Sequence, residues 1–289
     1  MNPNPTHAPF RPPPAPVRLW RAGAPWLRRA VLWAFAVWCL FPIYWLVTMS
    51  LKTDLQSISR PPLFLFTPTL QNYAAVAHMP EVWGYFASSS IIAIGSTALG
   101  LALGVPTAYV LARYRFRGNA DFGFWILSTR MTPPVAMLIP FFALYVRTGL
   151  VDTYVGVIIA HFALNLSIVV WLMKGFFEDL PPELEEAAFM DGASYFQAFR
   201  QICLPLALPG IAAVGILSFL FSWNEFLFSM VLTQEIRTVP LGLYNFVGYQ
   251  EIRWGELSAS AVLMLAPVLA FVFVFQRQLV RGLTMGAIK

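Results

Sequence analysis

The chain has 289 residues, of which 58% are hydrophobic and 11% charged, with a mean hydropathy of +0.65 and a formal net charge of +5 at pH 7. Soluble domains carry about 25% charged residues. So few polar groups cannot cover this much apolar weight, which excludes a water-soluble globular fold and makes the bilayer the solvent. The basic residues are dispersed among short loops rather than gathered in a patch, which speaks against a nucleic-acid partner. The two cysteines, Cys39 and Cys203, suit neither a disulfide framework nor a zinc site.

In chain order, residues 1–29 (MNPNPTHAPFRPPPAPVRLWRAGAPWLRR) are rich in proline and arginine and read as a disordered cytoplasmic tail. The apolar run that follows is too long for the core of a signal peptide and reads as a retained membrane helix. A membrane-spanning helix needs about 20 mostly apolar residues. Six segments meet or approach this: 30–51, 88–112, 122–146, 153–173, 206–232 and 257–276. They predict an all-α membrane protein with six transmembrane helices, as one domain over 30–289 with no internal repeat. Pro42, Pro106, Pro140 and Pro267 fall inside these runs, where neighbouring helices can satisfy the backbone groups that proline frees.

Lysine and arginine placement sets the orientation. With the N-terminus inside, thirteen basic residues fall in inner segments and five (Lys52, Arg60, Arg147, Arg237, Arg253) in outer ones. Both termini are therefore expected in the cytoplasm. The outer segment 52–87 contains PPLFLFTP, which suggests extended or turn structure. The outer segment 234–256 carries mixed charges with Tyr244, Phe246, Tyr249 and Trp254.

One segment is unlike the rest. Glu183–Pro205 (ELEEAAFMDGASYFQAFRQICLP) is compact and charged between two apolar runs. Pro181 and Pro182 sit where a helix would start, and Glu183, Glu185 and Glu186 fall in its first turn. Gly192 breaks that helix, and Asp191 or Ser194 is placed to cap a second one. There Phe196, Phe199 and Cys203 recur at helical spacing, and Pro205 is expected to stop the helix before the fifth run. The reading is a helix, a turn and a helix at the cytoplasmic surface, a shape that suits docking into a groove on a partner. A bare interfacial helix pair is the blander alternative.

The spacing Glu186-Ala187-Ala188, three residues, Gly192, nine residues, Ile202-x-Leu204-Pro205 resembles the EAA loop of ABC importer permeases. MTPPVAMLIPFFALYVRTGLVDTYVGVI, SWNEFLFSMVLT and QRQLVRGLTMGAIK are similar to the carbohydrate-uptake branch of that family, the branch of the second maltose permease subunit. The resemblance runs from Ala30 to Lys289. It implies a type I ABC importer permease fold in the bacterial inner membrane, with an EAA coupling loop over about 178–205. It also implies that Glu186, Ala187, Ala188, Asp191, Gly192, Ile202, Leu204 and Pro205 couple to an ATP-hydrolysing subunit. The implied partners are a second, different permease subunit, two ATP-binding subunits, an extracytoplasmic solute-binding protein contacting 234–256, and a sugar or polyol as cargo; the C-terminal tail would reach toward the ATPase. The residues agree on one point independently. GxxxxGK[ST] is nowhere present, and Lys52, Lys174 and Lys289 all lack that setting, so if transport is ATP-driven, another chain must bind the nucleotide.

Four polar residues inside the runs are candidates for a translocation path: Arg130, Asn165, Asn224 and Glu225. Arg130 sits about 13 Å along the third run at 1.5 Å per residue, and it either serves the path or snorkels to the cytoplasmic face. Asn224, Glu225 and Asn165 either line the path or hydrogen-bond helices together. His161, alone on an apolar helix, reads as a packed or hydrogen-bonded group. No metal site and no cofactor is indicated. Rival readings are an ABC permease for an amino acid or peptide, a self-contained secondary transporter or channel, and a membrane enzyme. The transporter has thin support in Arg130 and Glu225. The enzyme lacks a nucleophile–base pair among three scattered histidines and two separated cysteines.

Overall fold

Prolines and polar residues set the breaks in an otherwise helical chain. The computed structural model describes residues 25–248 and 252–285; the expectations for residues 1–24, Tyr249 and residues 286–289 lie outside them. The helices are α1 (Pro25–Ser50), α2 (Asp54–Ser57), α3 (Gln71–Ala77), α4 (Pro80–Arg113), α5 (Asn119–Ser128), α6 (Pro134–Thr148), α7 (Tyr154–Asp179) and α8 (Glu183–Met190). They continue with α9 (Tyr195–Ala198), α10 (Leu204–Trp223), α11 (Leu227–Leu232), α12 (Val239–Leu243) and α13 (Trp254–Met285). Among the described residues there is no strand, only an isolated bridge between Val247 and Ile252. Among the described residues, those of α1 up to Thr48 form one unit, and those from Met49 on form another. The first helix begins at Pro25 rather than Ala30, so residues expected in the tail belong to its first turns.

Four helical stretches among the described residues are long and apolar enough to cross a bilayer: Trp26–Ser50, Pro80–Arg113, Tyr154–Asp179 and Tyr195–Trp223. A bent pair of helices passes the same test only when its two halves are taken together. The third run was expected as one helix, but it divides into Asn119–Met131 and Pro134–Thr148, bent by 97°. The cause is local. Pro133 and Pro134 lack the N–H groups that a continuing helix would need, and a residue before proline is pushed out of helical geometry; Thr132 is accordingly extended, with ψ 126°. The sixth run lies within α13, apolar over Trp254–Ala270.

The fifth run is also broken, after Trp223. Asn224 ends α10, and the Glu225 carboxylate accepts the N–H groups of Phe228 (2.9 Å) and Ser229 (3.1 Å), which start α11. Pro205, by contrast, stops nothing. A π turn over Phe199–Cys203 leads straight from α9 into α10, with Pro205 in the first turn of α10. The wider π register accommodates a ring that would otherwise press on the carbonyl four residues back.

α4 and α7 run in the same direction. At one end Ser88 Oγ and Tyr154 OH are 3.0 Å apart; at the other, Arg113 Nη2 donates to the Leu180 carbonyl at 2.8 Å. The bent pair α5–α6 connects the end of α4 to the start of α7. The two helices approach closely because Gly104 has no side chain. A Cβ there would lie 2.7 Å from Val169 Cγ1, the small-residue contact by which membrane helices associate. Val105, Ala108, Val169, Met173, Phe177, Cys203 and Val214 belong to one buried cluster that joins α4, α7, the π turn and α10.

At the Ser88 end, Asp152 ties two turns together. It has φ 55°, and its carboxylate accepts the N–H groups of Gln234 (3.0 Å), Glu235 (3.2 Å) and Ile236 (3.0 Å). Burial pushes its pKa up, but these three bonds favour the carboxylate more strongly and hold it below the usual value. Val239 N–H donates to Ser89 Oγ at 2.7 Å, which fixes α12 to the start of α4.

Candidate functional site

Two places collect the polar residues of this apolar chain. The first is the segment Glu183–Pro205, at the Arg113 end of α4. As expected, α8 starts after Pro182 with three acids in its first turn. It ends in a Schellman turn. Gly192 N–H donates to the Phe189 carbonyl (3.0 Å) and Ala193 N–H to the Ala188 carbonyl (2.9 Å). Gly192 has φ +85°, a left-handed conformation that a Cβ opposes. Asp191 occupies the C-cap of α8. Ser194, not Asp191, caps α9, in a reciprocal box: its hydroxyl accepts Gln197 N–H (3.3 Å) and Gln197 Oε1 accepts Ser194 N–H (2.7 Å).

The single apolar face expected for Phe196, Phe199 and Cys203 is divided. Cys203 is buried and Phe199 packs 4.7 Å from the Tyr109 ring, whereas Phe196 is 67% exposed. The π turn changes the angular step between them. Of the motif residues, Ala188 is buried, Ile202 and Leu204 are half-buried, and Glu186, Ala187, Asp191, Gly192 and Pro205 are exposed. Beside them Leu184, Phe189, Met190, Tyr195 and Phe196 are large apolar side chains left exposed, Met190 by 88%. Sequence reasoning noted Glu185 only as a first-turn acid. It is 6% exposed and bound to Arg113 (2.5 Å) and Tyr109 (2.7 Å). A partner 72 residues away leaves no local signal in the sequence.

The second place is a cavity of about 290 Å³ at the two helix breaks. Arg130, Asn165 and Glu225 line it with Thr129, Phe221 and Met137; Asn224 is not among its lining residues and turns its amide to the Leu220 carbonyl of its own helix (2.8 Å). Arg130 lies in the 3₁₀ turn between α5 and α6, not within a continuous helix. Its guanidinium covers the Phe221 ring at 4.9 Å and donates to the Leu164 carbonyl at 3.3 Å, a cation–π geometry. Asn165 is buried and donates to the Ser218 carbonyl at 3.5 Å.

Glu225 both lines this cavity and is held from behind. His161, fully buried on α7, places Nε2 3.1 Å from Glu225 Oε2, and its Nδ1 lies 2.7 Å from Ser222 Oγ. Ser222 Oγ also accepts from Ser96 Oγ at 2.9 Å, bringing in α4. His161 is thus a hydrogen-bonded centre, as its lone position suggested. The network makes the break between α10 and α11 a supported feature rather than frayed helix.

The family model for binding-protein-dependent transport system inner membrane components matches residues 100–285, which contain both places. This chain belongs to that family. A probable ABC transporter permease protein of Sinorhizobium fredii, y4oR, is 39% identical over 90% of this chain and 96% of its own length. The trehalose transport system permease protein SugB of Mycobacterium tuberculosis is 34% identical over 91% of this chain and 98% of its own. A chain of the crystal structure of a bacterial ABC transporter importing the acidic polysaccharide alginate superposes with a TM-score of 0.75. It is 26% identical and covers 93% of this chain and 99% of that one. As an inner membrane component of such a system, the chain is a transport subunit.

Proposed function

We propose that this chain is one of two permease subunits of an ATP-driven importer for a carbohydrate or polyol, with six membrane crossings and both termini in the cytoplasm. A separate ATP-binding subunit seats on Glu183–Pro205. Its closure on ATP displaces the loop, and the membrane helices then expose the cavity at Arg130, Asn165 and Glu225 to a docked solute-binding protein. The observation that carries this reading is the exposed apolar patch of Leu184, Phe189, Met190, Tyr195 and Phe196 on a rigidly turned loop. Such a patch marks a contact with a protein or a membrane, and its place among the exposed charges of Glu183, Glu186, Asp191 and Arg200 favours a protein. A trehalose permease and an alginate importer among the similar proteins support a saccharide as cargo.

The test is reconstitution into liposomes with the second permease, the ATP-binding subunits and the binding protein, with uptake of a panel of labelled sugars, trehalose first. Met190→Asp should abolish ATP-dependent uptake and binding-protein-stimulated hydrolysis, because it places a charge on the docking patch without touching the core. Uptake unchanged in that variant, or uptake without any ATP-binding subunit, contradicts the proposal.

A further inference from the structure

We propose that Glu185, Arg113 and Tyr109 form a clamp that makes α8 and α4 move as one body, so that displacement of the loop reaches the cavity through α4 and α7. This rests on the reading of the loop as the ATPase contact. It adds a positioning residue, Glu185, whose partners lie in the membrane domain rather than in the ATPase.

Both carboxylate oxygens of Glu185 are engaged. Oε1 accepts from Arg113 Nε at 2.5 Å and Oε2 from the Tyr109 hydroxyl at 2.7 Å. The same guanidinium donates through Nη2 to the Leu180 carbonyl at 2.8 Å. The last turns of α4 therefore hold the chain on both sides of Pro181 and Pro182. The Tyr109 ring meets Phe177 edge-on at 5.4 Å and Phe199 at 4.7 Å, and so touches the segment entering the loop and the segment leaving it. Charge-assisted bonds are short and directional, and a buried pair opens reluctantly because each half would be left uncompensated. Glu183 and Glu186, on either side, are exposed; only Glu185 of the three faces inward.

The clamp has somewhere to transmit motion. The contact of Gly104 with Val169 leaves no room for a methyl group, so α4 does not slide freely past α7. Asn165, which lines the cavity, lies one helical turn from Val169 on the same face of α7. A contiguous packed route thus runs from Glu185 through Arg113, α4, Gly104 and Val169 to Asn165.

The complete importer is reconstituted in nanodiscs with spin labels at Glu183→Cys on α8 and Leu103→Cys on α4, after replacing the exposed Cys39. Cys203 is kept, because it lies 2% exposed against Glu185 and Tyr109 and is closed to the label, and the label separation is measured without ATP and after trapping with vanadate. The clamp requires the same separation in both states. It requires Glu185→Gln to make the separation differ between states and to lower binding-protein stimulation of ATP hydrolysis about tenfold, the scale of one lost charge-assisted bond. Basal hydrolysis and copurification of the ATP-binding subunit should stay intact, and Glu185→Asp should recover part of the stimulation. Tyr109→Phe keeps the ring packing, removes one bond, and serves if Glu185→Gln fails to assemble; it should show the same effect in smaller degree. A separation that changes between states in the unsubstituted clamp, or wild-type stimulation in both Glu185→Gln and Tyr109→Phe, overturns the proposal. Loss of the ATP-binding subunit from Met190→Asp but not from Glu185→Gln separates docking from the clamp. If Met190→Asp retains the subunit and its stimulation, the docking reading falls and the clamp falls with it.

Discussion

Gly192 offers a prediction free of steric ambiguity. Its φ is +85°, and a Cβ built there meets no atom within 4 Å. Gly192→Ala therefore adds no clash, and its whole effect is the cost of a left-handed backbone for an L-residue, about 1–2 kcal/mol. That cost falls on the Schellman turn, whose bonds are Gly192 N–H to Phe189 and Ala193 N–H to Ala188. Opening of the turn should become about 5–30 times more populated. Hydrogen exchange at residues 192 and 193 reads this as a matching loss of protection, while α4 and α7 are unaffected. Gly192→Asn should fall between glycine and alanine, because asparagine tolerates this conformation better. Equal protection in glycine and alanine chains, or a loss spread over the whole domain, would refute the reasoning.

Three further outcomes follow from other contacts. Gly104→Ala drives a methyl group to 2.7 Å from Val169 Cγ1 and should cost about 1–3 kcal/mol by overpacking; thermal unfolding in detergent reads it, and Val169→Ala in the same chain should restore most of the loss. His161→Leu removes one bond each from Ser222 and Glu225, which keep their bonds from Ser96, Phe228 and Ser229, so it should cost about 0.5–1.5 kcal/mol per lost bond and lower the unfolding temperature more than His161→Gln does. Asp152 has a folded pKa below its unfolded value of about 3.9. Its contribution is therefore complete above that unfolded value and is lost as pH falls through the lower folded one. The amide shifts of residues 234–236 should hold from pH 7 to 5 and move only in stronger acid, whereas Asp152→Ala moves them at every pH.

What the sequence made legible was local chemistry. The Pro182 start of α8, the Gly192 turn and the Ser194 cap are each set by a residue acting within a few positions of itself. The helix breaks were hidden because hydropathy does not distinguish a straight apolar run from a bent one. Pro133-Pro134 and Glu225 carried the information, but a membrane run tolerates proline, and an acid reads equally as a path residue or as a cap. Pro205 misled for the opposite reason: a π turn absorbs it. Glu185 with Arg113, and His161 with Ser222 and Glu225, pair residues at least 61 positions apart. Such pairings depend on which helices become neighbours, and composition and spacing do not encode that.

The central claim is that an ATP-binding subunit seats on the loop between α7 and α10. Photo-crosslinking tests it most directly, with a reactive residue placed at Met190 on the loop or at Leu65, which is 93% exposed in the connection before α4. The account predicts a crosslink to the ATP-binding subunit from 190 and none from 65. A crosslink from 65, or none from 190 in a complex that hydrolyses ATP, would contradict it.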